Sequence, residues 1–103
     1  LNYFLKKKRE LAKKYKDFFK ETDCTFFNEP MHCKSNYWLN VIILKNELMK
    51  NQFLEKTNFN GVMTRPIWIL MNKLPMFKNA QSDNLKNSKW FFERAVNLPS
   101  SVI

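Results

Sequence analysis

Apolar residues recur at helical steps at the start of the chain. Phe4, Leu11, Tyr15 and Phe18 are seven, four and three residues apart, which predicts a helix over Asn2–Lys20 with these four on one face. The other face carries Lys6, Lys7, Lys8, Arg9, Lys13, Lys14 and Lys16 and is expected to be solvated. Thr22-Asp23 break the period, and Cys24–Phe27 is expected as a short strand closed by Asn28-Glu29-Pro30. Met31–Asn36 reads as a loop. Tyr37–Leu44 is nearly all apolar, rich in aromatic and β-branched residues, and does not alternate. A strand of that kind is covered on both faces, so it is expected at the centre of a sheet.

Asn46 is a good helix N-cap, and a helix is expected over Glu47–Phe59 with Leu48, Met49, Gln52, Phe53 and Lys56 setting its period. Asn60-Gly61 should end it, with glycine in the left-handed region. Val62–Ile69 reads as a further strand. Pro66 has no N–H to donate, so this strand belongs at an edge or turns there, and Arg65 before it is held extended. Leu70–Phe77 reads as an irregular or short helical segment around Pro75. Ser82 is expected to cap a helix over Asp83–Arg94, and Ala95–Leu98 is a last short strand stopped by Pro99. The order α-β-β-α-β-α-β implies an α+β fold: a small, mainly antiparallel sheet with helices packed on it.

The chain has 103 residues, 45% of them apolar, which suits one domain with a packed core. A single glycine, Gly61, excludes dinucleotide and Walker-type phosphate loops, which need several. A single histidine, His32, excludes a His-rich metal centre, and no carboxylate pair stands out for acid–base work. Cys24 and Cys33 lack Cys-x-x-Cys spacing; they fit free thiols or one bridge and no metal site. No apolar run approaches the ~18 residues that would span a bilayer.

The net charge of +9 rests on 18 Lys+Arg against 9 Asp+Glu, and more than half of the excess lies before Thr22. A basic amphipathic first helix could meet nucleic acid or a membrane surface. However, only Arg9, Arg65 and Arg94 are arginines, whereas nucleic-acid readers favour the forked guanidinium. Trp38, Trp68 and Trp90 are too scattered to form a base-stacking platform. The reading is therefore no nucleic acid and no membrane, with a basic nucleic-acid-binding or docking domain without catalysis as the alternative class.

The segment richest in binding chemistry is Thr64-Arg65-Pro66-Ile67-Trp68, running on to Met71-Asn72-Lys73-Leu74-Pro75. Arg65 suits a phosphate or carboxylate, Trp68 a ring, and Asn72 hydroxyls, which together suit an anionic, ring-containing ligand. The plainer reading places Arg65 in a surface ion pair and Trp68 in the core.

This segment also carries a resemblance. GVMTRPIWILMNKLPMF followed by NLKNSKWFFERAVNLPSSV resembles the C-terminal small domain of the DegT/DnrJ/EryC1/StrS sugar-nucleotide aminotransferases. The matching elements are Gly61, Arg65-Pro66, Trp68, Asn72 with Pro75, Arg94 and Leu98-Pro99-Ser100. SNYWLNVIIL and KKRELAKKYKDFF fit as well, so the resemblance covers essentially the whole chain. It is nearest to the branch, as in legionaminic acid or bacillosamine formation, that aminates C4 of a UDP-linked 4-keto-6-deoxy-N-acetylhexosamine. GDP-perosamine-forming relatives are the alternative. Asn72 stands where the family often has His, and Ile69-Leu70 where a polar residue and Pro are common.

The resemblance implies the C-terminal domain of a fold-type I pyridoxal 5'-phosphate enzyme. The amino donor would be glutamate, the protein a cytoplasmic homodimer. Residues 1–103 would form one small domain clipped at both ends, inactive by itself, with the large cofactor-binding domain absent. The cofactor lysine, and the acid that pairs with the pyridinium nitrogen, would lie upstream of Leu1. No catalytic, cofactor-binding or metal-binding residue is therefore expected in this chain. Arg65, Trp68 and Asn72 are the residues expected to face the sugar nucleotide.

Overall fold

The computed structural model describes residues 1–102. Its elements are α1 (Asn2–Phe19), β1 (Thr25–Phe26), β2 (Asn40–Ile43), α2 (Glu47–Phe59), β3 (Arg65–Pro66), α3 (Lys86–Arg94) and β4 (Ala95–Leu98). Two 3-10 turns, Met71–Lys73 and Pro75–Phe77, lie between β3 and α3. The sheet is antiparallel throughout, in the order β1-β2-β4-β3. Since β2 and β3 both run against β4, they are parallel to each other, and α2 joins them as a crossover. β4 is thus inserted into a split β-α-β unit and, although last in sequence, is a central strand.

The register sorts the side chains by face. Phe26, Ile42 and Val96 stand opposite one another, and Leu98 and Leu44 share their side. Ala12, Tyr15 and Phe19 of α1 and Met49, Phe53 and Leu54 of α2 pack on this same side, so both helices cover one face. The α+β expectation is met.

Several local expectations are corrected. The buried stripe of α1 is Leu5, Lys8, Ala12, Tyr15 and Phe19, about one residue out of phase with the predicted one; Phe4 and Phe18 are exposed. Lys8 can lie on this stripe because its ammonium reaches the carbonyls of Trp38 and Ser100. Tyr15 likewise donates to the Pro99 carbonyl at 2.7 Å. On α2 the inward set is Met49, Lys50, Phe53, Leu54 and Thr57; Leu48 is exposed. The central strand shrinks to Asn40–Ile43 and is buried on one face only, with Val41 and Ile43 half-covered on the other. Tyr37 leaves the extended conformation (φ 48°) and turns its ring against Phe26, its hydroxyl donating to Asn28 Oδ1.

The predicted strand Val62–Ile69 is reduced to Arg65–Pro66. It lies at an edge, as the proline requires. Val62 is taken up by the end of α2, where Gly61 sits at φ 80°. The Gly61 N–H donates to Asn58 O and the Val62 N–H to Thr57 O at 2.8 Å, the paired bonds of a Schellman motif. Ser82 does not cap α3. Asp83 and Asn84 each accept a hydrogen bond from the backbone two residues on, and Leu85 is left-handed (φ 52°), so the helix begins only at Lys86. Cys24 and Cys33 are both free thiols.

Candidate functional site

Arg65 is positioned by the end of α2. The Thr57 and Thr64 hydroxyls meet at 2.6 Å, and Asn58 Nδ2 donates to Leu54 O at 2.7 Å and to Thr64 O at 3.1 Å. Thr64 is buried within this cluster. Arg65 Nη1 donates to Asn58 Oδ1 at 3.1 Å and to Thr64 O at 2.9 Å. The guanidinium therefore sits at the C-terminal, electronegative end of α2. The ion pairs among the described residues do not include it. The surface-ion-pair reading is thereby corrected: part of the donor fork stays available for a phosphate or carboxylate.

Trp68, two residues beyond β3, is 80% exposed. The core reading of this tryptophan is wrong. Ile69, Met71 and Met76 in the same stretch are exposed too. An exposed indole three positions after an arginine offers a flat apolar face to a ring-containing ligand.

Asn72 lies in the first 3-10 turn and lines a cavity of about 550 Å³ together with Leu70, Phe77, Gln81, Asp83 and Ser88. Its Oδ1 is buried without a hydrogen-bond partner among the described residues. A buried acceptor in that state costs stability, and Asn40 Oδ1 in the core is left the same way, so the orphaned oxygen does not by itself mark a ligand site. Arg65 and Trp68 do not line this cavity. The three predicted residues thus stand in sequence along one exposed tract, from β3 into the turns, and do not line a common pocket.

The sequence reading missed a second organised region. Arg9 forms a bidentate pair with Glu29, Nη2 to Oε1 at 2.9 Å and Nη1 to Oε2 at 3.2 Å. The Ser35 N–H donates to Glu29 Oε2, and Arg9 Nη1 donates to Ser35 O, each at 2.6 Å. The guanidinium also lies over the Tyr37 ring, 5.5 Å from its centre. The Arg9 hydrogen bond, followed by the Ser35 N–H, pulls the Glu29 carboxyl down to about 2. Arg9 belongs to the predicted solvated face and Glu29 to a predicted loop end; no local pattern joins residues twenty positions apart.

Comparison with known proteins gives the family and the fold. The model of the DegT/DnrJ/EryC1/StrS aminotransferase family matches residues 1–102. Among solved structures, an aminotransferase, TlmJ, from Streptoalloteichus hindustanus superimposes with a TM-score of 0.81 at 14% identity, over 93% of this chain and 26% of that one. The putative sugar aminotransferase Spr1654 from Streptococcus pneumoniae, in its PLP form, gives a TM-score of 0.81 at 17% identity, over 93% and 26% of the two chains. GDP-4-keto-6-deoxy-D-mannose-3-dehydratase from E. coli, with bound hydrated PLP, gives 0.70 at 19% identity, over 97% and 27%. The chain thus spans about a quarter of the length of these structures.

Proposed function

The chain belongs to the DegT/DnrJ/EryC1/StrS aminotransferase family, and on that premise we propose that it is the C-terminal small domain of a PLP-dependent sugar-nucleotide aminotransferase. The reaction we assign to the whole protein moves an amino group from glutamate to a nucleotide-linked 4-keto-6-deoxy sugar, giving a UDP-4-amino-4,6-dideoxy-N-acetylhexosamine. The assembled enzyme would be a homodimer. Pyridoxal phosphate would supply the electron sink for the transfer.

The residues of this chain do not themselves fit that cofactor. Its one buried lysine, Lys50, donates to the Phe92 carbonyl at 3.1 Å and lies 4.9 Å from the centre of the Phe92 ring. That ammonium is committed to the last turn of α3, and no carboxylate among the described residues pairs with it. We therefore assign the cofactor to residues outside this chain and expect the chain alone to be inactive.

The observation that carries the reading is the tract from Arg65 to Asn72 in a chain of this family. Among the described residues it holds a guanidinium without a carboxylate partner, an exposed indole and a buried amide oxygen without a donor. Arg65 would hold the anionic part of the sugar nucleotide, Trp68 would cover a ring, and Asn72 would accept from the sugar. The test is Arg65→Ala in the full-length enzyme. The KM for the sugar nucleotide should rise about 10- to 100-fold, the value of one charge-assisted hydrogen bond, while the absorbance of bound cofactor is unchanged. Wild-type KM would remove Arg65 from the site.

A further inference from the structure

Strand β2 reads Asn40-Val41-Ile42-Ile43, and its side chains alternate between the two faces of the sheet. An antiparallel sheet with one face in water places polar residues outward. Here both outward positions, Val41 and Ile43, are apolar, and the polar residue, Asn40, is fully buried on the inner face. The pattern calls for cover on both faces, whereas α1 and α2 cover only one.

The register shows what the second face carries. The Phe27 N–H donates to Val41 O at 2.8 Å, so Phe27 stands beside Val41. Val41 pairs with Asn97, and Asn97 with Arg65. One row therefore crosses the sheet from the end of β1 to β3, with Thr25, Ile43 and Ala95 in the next row. At one end α3 borders these rows: the Phe91 ring meets Phe27 edge to face at 5.9 Å, and Trp90 meets Phe91 the same way at 5.0 Å. Ala95, at the mouth of α3, is buried, and Val41, Ile43 and Asn97 are half-covered. Phe27 is 50% exposed, and Trp90 and Phe91 are exposed as well.

Neighbouring apolar side chains left open in this way mark a surface that is covered in the assembled protein. Apart from Arg65 at the rim, no position in the two rows is charged, although the chain carries +9 overall. A charge-free apolar face suits a permanent contact more than an encounter with a charged partner.

The place of the face in the fold selects its occupant. Arg65 closes the first row, so whatever lies over Phe27 and Val41 also stands next to the tract from Arg65 to Asn72. On the proposed function, that tract has to meet a cofactor which the residues of this chain do not hold. A second copy of the same face would cover the rows without bringing that cofactor. The related structures offer a different cover, since this chain matches only 26% of the length of TlmJ and of Spr1654.

We infer that the face through Phe27, Val41 and Ile43 is the seat of the cofactor-bearing part of the same polypeptide, whose border at Arg65 forms the second wall of the substrate cleft. This placement rests on the aminotransferase reading and adds to it the face on which the two parts meet.

The experiment uses the full-length enzyme with a single cysteine, introduced as Phe27→Cys or, on the same face, Thr25→Cys, and labelled with a maleimide under native conditions. Thr25→Cys replaces an exposed side chain of similar size, so it keeps the test decisive if Phe27→Cys does not fold. Phe59→Cys, at the exposed end of α2, is the control. Both face positions should react at least about tenfold more slowly than the control, as sites reached only when the contact opens, and as fast as the control in urea. Labelling at the control rate, in enzyme that holds its cofactor and transaminates, would overturn the placement and leave the aminotransferase reading standing. Protection that vanishes when the enzyme is diluted to monomers would give the face to a second copy and overturn the placement too. Full-length protein that neither holds cofactor nor transaminates would overturn the placement together with the reading beneath it.

Discussion

Gly61 is the residue on which the placement of Arg65 most depends. It sits at φ 80°, one position past the cap of α2, and its turn brings Thr64 and Arg65 back onto Thr57 and Asn58. A Cβ built at Gly61 meets nothing within 4 Å, so Gly61→Ala adds no clash. The whole cost is that of holding an L-residue in the left-handed region, about 1–2 kcal/mol. For a domain of about 100 residues this lowers the melting temperature by roughly 4–16 °C. Gly61→Asn, whose side chain tolerates that region, should lose roughly half as much or less. Calorimetric melting of the three proteins is the assay. If alanine melts with the wild type, the turn is not left-handed and the seating of Arg65 on α2 is wrong. If asparagine is as damaging as alanine, the loss comes from packing, contrary to the open space around the position.

Trp68→Ala should leave stability within about 0.5 kcal/mol of wild type in urea titrations, since its side chain is exposed, while raising KM for the sugar nucleotide in the full-length enzyme. A large loss of stability would show the indole to be packed after all. Glu29 gives a pH signature. Its carboxyl falls from 4.5 to about 2, so its contribution is complete above about 4.5 and is lost as pH drops toward 2. Glu29→Gln should flatten that part of the stability–pH curve, and an unchanged acid limb would show that the Arg9–Glu29–Ser35 latch does not hold in solution.

What the sequence made legible was set by local chemistry. Asn46 caps α2 through a 2.8 Å bond from the Met49 N–H, Gly61 ends it, and Pro66 keeps β3 at an edge. Each effect spans only a few residues. The misreadings share another cause, side chains whose partners are distant. Lys8 could enter the buried stripe of α1 because the carbonyl of Ser100, 92 residues away, receives it. Asn40 could occupy a fully buried strand position because the Ser100 hydroxyl, which accepts from both its backbone and its side-chain N–H, crosses to it. Trp38 lies in the strand expected to be covered on both faces, yet it is exposed; Trp68, for which a core place was only the plainer alternative, is exposed as well. At the candidate site, residue types pointed to Arg65, Trp68 and Asn72, but only coordinates give the orphaned oxygen of Asn72 and the missing ion pair at Arg65.

The central claim is that the tract from Arg65 to Asn72 touches a sugar nucleotide, and photolabelling tests it most directly. Trypsin cuts after Lys56 and Lys73 but not at Arg65-Pro66, so residues 57–73 emerge as one peptide that contains all three residues. Full-length enzyme irradiated with an azido analogue of the UDP-linked sugar should carry label on this peptide, and excess unlabelled sugar nucleotide should protect it. Saturating label found only on residues outside this chain, with the 57–73 peptide clean, would contradict the account.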